Sequence, residues 1–238
     1  TRFGEYRVYT TAYPSLKELP CIGGYHDDIL DVEKILALRP DVLLIGRSQY
    51  VDNNQHIKVL ESAGIHVIVL DYHAMRTENH VQSTRILGML LGREHVADAQ
   101  CRAYEDALRM VDERISSLPV SVQHKRVYME LGNKGIGEYG NSYNKTILWG
   151  AILARLGADS LSQDSPQPYA PLDVEHVIFR DPQIIVIGGS IWRGNSTAGD
   201  QMRMGFTVLE SEAQKCLQGF ASRPEWRGIS AVKTGDVY

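Results

Sequence analysis

No stretch of this sequence approaches the ~18 consecutive apolar residues that a membrane-spanning helix requires. The longest apolar runs, such as Ile65–Leu70, have the length of buried strands. Charge of one sign is also lacking, with 25 basic against 29 acidic residues and a net charge of −4, so the basic footprint of a nucleic-acid-binding protein is missing. Cysteine is scarce, and Cys21, Cys101 and Cys216 stand far apart without the close Cys or His pairing of a zinc site, which leaves them as packed thiols. The eight His form no helical pair at ligand spacing, and His73 and His80 straddle an expected loop, so no protein-held metal is expected. There is no G-x-S-x-G elbow, no His-Glu-x-x-His and no lysine-bearing phosphate loop, and no catalytic residue is assigned. Phenylalanine is rare at four, against twelve Tyr and three Trp, so most of the aromatic rings carry a polar handle suited to a wet surface.

What is present is alternation. Apolar runs at Val42–Ile45, His66–Leu70, Arg126–Leu131 and Ile184–Ile187 interleave with helical periodicity, which predicts an α/β fold with mainly parallel, covered sheets. A repeat organises the chain. Leu30-Asp-Val-Glu-Lys-Ile-Leu-Ala-Leu-Arg-Pro-Asp-Val-Leu-Leu-Ile-Gly46 returns 142 positions later as Leu172-Asp-Val-Glu-His-Val-Ile-Phe-Arg-Asp-Pro-Gln-Ile-Ile-Val-Ile-Gly188. Each copy reads as a short helix with an acidic first turn, a stop at proline and a buried strand ending in glycine. Between them, Ala97, Cys101, Tyr104, Leu108, Val111, Ile115 and Leu118 recur at steps of four and three, predicting a helix over 94–118 of about 37 Å. A preceding helix is expected over Glu78–Leu91, and another over Asn144–Leu156. The Pro-rich stretch Ser165–Pro171 reads as an extended connection. These features predict two Rossmann-like lobes, residues 1–93 and 119–238, joined by the backbone helix 94–118.

Four segments, Ile22-Gly-Gly-Tyr25, Leu30–Gly46, Leu87-Gly-Met-Leu-Leu-Gly-Arg93 with the helix after it, and Trp226–Tyr238, resemble the ABC-importer substrate-binding proteins for iron–siderophore, haem or cobalamin ligands. The resemblance implies a periplasmic or membrane-anchored monomer that captures a small-molecule metal complex between two lobes, without a cofactor, and hands it to an ABC permease. An iron–siderophore complex is the first expectation; haem, cobalamin and molybdate are the alternatives. It further implies a strand and helix ahead of Arg7-Val8 and helices after Tyr238, so both lobes are expected to be short of their terminal segments. Thr1 in place of an initiating methionine fits either a removed export signal or truncation.

Ligands of open α/β sheets sit beyond the carboxyl ends of the strands. That rule selects the loops carrying Arg47, Tyr50, Tyr72, Lys134, Tyr139, Tyr143, Trp192 and Arg193, an aromatic set with cations that suits a bulky anionic ligand. The resemblance adds Tyr25 on the cleft rim, ahead of Tyr50. It also implies that Glu33 and Glu175, at matched repeat positions, meet arginines of the permease; favourable helix-dipole placement would by itself put a carboxylate there. A rival class rests on Gly135-Ile-Gly-Glu-Tyr-Gly140, a G-x-G-x-x-G after a strand, which would suit a nucleotide-dependent oxidoreductase. Against it, Asn141–Asn144 intervene before helical periodicity starts, and no strand ending in an acidic residue follows at the required distance.

Overall fold

The computed structural model describes residues 8–23, 30–74, 76–119, 124–190 and 201–238. In chain order these form α1 (Val8–Ala12), a 3-10 turn (Pro14–Glu18), α2 (Val32–Leu38), β1 (Val42–Gly46), α3 (Arg47–Asp52), α4 (Asn54–Ser62), β2 (His66–Leu70), α5 (Thr77–Leu90) and α6 (Glu94–Ser116). Then follow β3 (Arg126–Leu131), a 3-10 turn (Gly132–Lys134), β4 (Asn141–Tyr143), α7 (Leu148–Arg155), β5 (Asp159–Ser160), β6 (Tyr169–Pro171), α8 (Val174–Arg180) and β7 (Ile184–Gly188). The last elements are α9 (Glu210–Ala221), a 3-10 turn (Pro224–Gly228) and α10 (Ser230–Thr234). The chain divides into two compact units, Thr1–Tyr72 with Arg76–Arg102, and His73–Met75 with Ala103–Tyr238, so the division falls inside α6.

The first unit is built on β1 and β2, paired in parallel from Val42 opposite His66 to Gly46 opposite Leu70. Leu43 on β1 packs with Ile35 of α2, Leu60 of α4 and Ile65 to form its core. The second unit has a parallel sheet in the order β5-β3-β7, and β3 and β7 run in register from Val127 opposite Ile184 to Leu131 opposite Gly188. Residues 236–238 lie along the free edge of β7, where Ile185 N donates to the Asp236 carbonyl and Tyr238 N to the Ile185 carbonyl, both at 2.9 Å. Its core gathers Tyr128, Ile185, Ile187, Val177, Met202, Phe220 and Trp226, so strands β3 and β7 are covered by α8, α9 and the turn after α9.

The repeat is a repeated backbone. Asp31 accepts from Lys34 N at the start of α2, and Asp173 accepts from Glu175 N and His176 N at the start of α8. Both helices run seven residues and close on a left-handed residue, Arg39 (φ 48°) and Asp181 (φ 43°). Proline follows in each case, Pro40 or Pro182, and prevents the helix from continuing. Both then enter strands of five residues that end in glycine.

The sequence-predicted strands agree with the structure to within one residue, and the long helix occupies 94–116, with its apolar seam turned inward from Ala97 and Cys101. Two expectations are corrected. The helix expected from Asn144 starts at Leu148, because Asn144 Oδ1 accepts from Thr146 N (3.0 Å) and Thr146 Oγ1 (2.7 Å) and folds the segment into a side-chain-closed turn. Gly150 allows that turn to lie against the helix, since a Cβ there would come within 2.0 Å of the Asn144 carbonyl oxygen. The stretch expected as a plain extended connection contributes β6, which pairs antiparallel with β4 through Tyr143 opposite Tyr169.

The matched left-handed residues predict opposite outcomes. Arg39→Gly should raise stability by about 0.5–1 kcal/mol, the relief of left-handed strain less the added chain entropy of glycine. Asp181→Gly should lower it by about 1–2 kcal/mol, because Asp181 also accepts from Ser230 N and Ser230 Oγ, each at 2.7 Å. Urea denaturation of the two variants checks both signs.

Candidate functional site

At the carboxyl end of β1, Arg47 opens α3 with its side chain exposed, and Tyr50 lies half-buried one turn on. At the end of β2, Tyr72 is held in place: its hydroxyl shares a hydrogen bond of 3.1 Å with Thr84 Oγ1, its carbonyl meets His80 Nε2 at 2.8 Å, and its ring stands edge-on to His80 at 5.2 Å. Asp71 N donates to Ser83 Oγ (2.9 Å), so α5 anchors the whole exit from β2. Glu33 and Glu175 are exposed in the first turns of α2 and α8, and no ion pair to either carboxylate is formed among the described residues. Tyr25, Trp192 and Arg193 lie outside the described residues.

The second unit carries the densest chemistry, at the end of β3. Glu130 is fully buried in β3 between the apolar Met129 and Leu131, and a carboxylate removed from water needs a counter-charge and hydrogen bonds. Arg223 supplies both, with Nη1 to Glu130 Oε2 at 2.7 Å and Nη2 to Oε1 at 3.0 Å, a bidentate pair in which the Glu130 and Arg223 side chains are 0% and 2% exposed. Tyr128 donates its hydroxyl to Glu130 Oε2 (3.0 Å) and the Gly140 amide donates to Oε1 (2.9 Å). The guanidinium further donates to the carbonyls of Ile136 (2.9 Å), Gly135 (3.1 Å) and Glu138 (2.7 Å). Three rings surround it, with Tyr139, Trp226 and Phe220 centroids at 4.3, 4.6 and 4.8 Å. Gly140 is required for closure, because a Cβ would sit 1.8 Å from the Leu131 carbonyl oxygen.

This arrangement redistributes the sequence-predicted residues. Lys134 is exposed at the head of the loop. The Tyr139 ring is packed on Arg223 and Trp226, and its phenol is pushed up chiefly by burial. Tyr143 is 8% exposed within β4, its phenol raised by burial and then by Tyr169. The dinucleotide reading of Gly135–Gly140 is overturned: β4, not a helix, follows the glycines, and three loop carbonyls face a buried cation where a pyrophosphate would need amides. Sequence reasoning misses the two residues that organise the loop, Glu130 and Arg223. One signal for them exists, a lone acidic residue inside Arg126–Leu131, which demands a buried partner wherever the chain can supply one.

A model of the family described as periplasmic binding protein matches residues 5–238. The chain belongs to that family. The binding protein is 31% identical to a TroA-like periplasmic binding protein, FepB, from Veillonella parvula, with a TM-score of 0.85 over 96% of this chain and 65% of that one. A periplasmic heme-binding protein from Pseudomonas aeruginosa is 26% identical, with a TM-score of 0.61 over 92% and 71% of the two chains. Vitamin B12-binding protein from Pectobacterium carotovorum subsp. carotovorum is 24% identical over 191 residues, 79% of this chain and 65% of the relative. The binding protein therefore spans less than two thirds of that relative's length. This is a family of binding proteins, not of enzymes.

Breaking the buried pair leaves a charge without its partner. Arg223→Met should cost roughly 3–5 kcal/mol in urea denaturation, and Glu130→Leu combined with Arg223→Met should cost clearly less than the two single changes added together. Tyr128 gives a pH test. Burial first, then the Glu130 charge and hydrogen bond, raise its phenol well above the ordinary value. A raised acid contributes stability that is complete below the unfolded value of about 10 and is lost as pH rises beyond it. Thermal denaturation between pH 8 and 11 should show that loss, and Tyr128→Phe should flatten it.

Proposed function

We propose that this binding protein is the ligand-capturing component of an ABC importer, taking a small metal complex from outside the cytoplasmic membrane and delivering it to a membrane permease. The observation that carries this reading is the family match over residues 5–238, joined to relatives whose names state vitamin B12 and heme binding. The ligand is accordingly of the metal-chelate class. An iron–siderophore complex is our first assignment, with haem and cobalamin as the alternatives of the same class and molybdate as a smaller one. The protein acts as a monomer in the periplasm or tethered to the outer face of the membrane.

Arg47, Tyr72 and Lys134 contact the ligand in this proposal, together with Tyr25, Trp192 and Arg193. What supports the first three is position: each stands just past the carboxyl end of a parallel strand, on a backbone fixed by its own unit. Tyr139 and Tyr143 contribute by packing beneath the loops. Glu33 and Glu175 dock the permease. The support is that two helices with the same caps, the same length and the same left-handed exit each present an exposed carboxylate at the same step, as a partner with related binding surfaces requires.

Intrinsic tryptophan fluorescence should respond to a ferric siderophore, haemin or cyanocobalamin, and the ligand that binds should raise the melting temperature. If NAD raised it and none of the chelates or molybdate did, the importer assignment would be wrong. Glu33→Ala with Glu175→Ala should leave chelate affinity unchanged while weakening association with the permease in proteoliposomes by about tenfold or more. Unchanged association would remove the docking role.

A further inference from the structure

The loop after β3 is held from within, and that fixes which of its groups face out. Arg223 takes the carbonyls of Gly135, Ile136 and Glu138 on one side. A trans peptide is planar, with its C=O and N–H directed oppositely, and no cis bond occurs among the described residues. The amides of the same three peptide units belong to Ile136, Gly137 and Tyr139, so these N–H groups point away from the guanidinium. None of the three finds an acceptor among the described residues. Ile136 and Gly137 are exposed, and around Gly137 the space where a Cβ would stand is open to 4 Å. Lys134, exposed and without an ion pair among the described residues, heads the loop.

We propose that the outer face of this loop is an anion-receiving site. The amides of Ile136, Gly137 and Tyr139, with the Lys134 ammonium, take a carboxylate or phosphate group of the captured ligand, each outward N–H supplying a donor and the lysine the charge. Arg223 never touches that group. It is a positioning residue: the pair with Glu130 neutralises its charge, and its three extra bonds to carbonyls set the direction of the peptide planes. Glu138, exposed in the same loop, opposes the anion and tunes how tightly it is held. The reading rests on the binding function proposed above, but its chemistry can be tested apart from it.

The probe is inorganic phosphate, followed by nitrogen-15 amide resonances of the whole chain. Phosphate should move the Ile136, Gly137 and Tyr139 resonances together, leaving those of β1 and β2 in place. Lys134→Met should weaken the response about threefold, the effect of one exposed charge, and Glu138→Gln should strengthen it by a similar factor. Arg223→Lys keeps the charge but loses the planar fork, so the folded variant should give no concerted response. Shifts confined to Lys134, or an undiminished response in Arg223→Lys, would overturn the proposal. Should Arg223→Lys not fold, the opposed effects of Lys134→Met and Glu138→Gln decide it, and their absence overturns it. The two readings separate as well. Concerted shifts with phosphate but no binding of ferric siderophore, haemin or cyanocobalamin would uphold the anion site and sink the chelate assignment. Chelate binding with these amides unmoved by phosphate would do the reverse.

Discussion

The second unit depends on the buried ion pair between Glu130 and Arg223. Glu130 and Arg223 are 93 positions apart, and each would be costly to bury alone. Together they tie the end of β3 to the turn after α9 and draw Tyr128, Tyr139, Phe220 and Trp226 around one guanidinium. The pair also directs its remaining hydrogen bonds at a glycine loop that contains no regular structure of its own. A loop without a ladder has few ways to hold one conformation, and a cation donating to three of its carbonyls is one of them. Packing, strand termination and loop geometry are therefore one problem at this site, solved by the same two side chains.

The helix–strand repeat follows a different logic. Its backbone is copied closely, from capping aspartate to left-handed exit to terminal glycine, while the side chains outside that frame have diverged. At the left-handed position Arg39 makes no side-chain bond among the described residues, whereas Asp181 is tied to Ser230. One residue before the end of the helix the first copy has the small Ala37, and the second has Phe179, 85% exposed. What both copies keep on the surface is the carboxylate at Glu33 and Glu175. Dipole stabilisation accounts for a carboxylate in a first turn, and the matched helix length, caps and exit put the two carboxylates at the same step of their helices.

Much of this is legible in the sequence because the signals are local. The strand at His66–Leu70 is a β-branched run between turn residues, and the α6 seam follows helical periodicity along the whole element. Apolar spacing misplaces the start of α7 because Asn144 closes a turn with its own side chain, an interaction that competes with the helix without altering that spacing. Their place after a strand marks Tyr139 and Tyr143 as cleft aromatics, although rings there reach the core as readily as solvent. Only their neighbours, Trp226 for one and the β6 strand for the other, turn them inward.

Sequence alone was enough for the α/β class, the four main parallel strands, the long helix and the doubled helix–strand unit, since each rests on periodicity, capping or proline placement within a few residues. The tertiary structure alone decided that a G-x-G-x-x-G run would turn its carbonyls inward, because the group that turns them, Arg223, arrives from the far end of the chain. Side-chain chemistry within one turn of the backbone is written locally; the pairing of two buried charges across 93 positions exists only once the chain has folded.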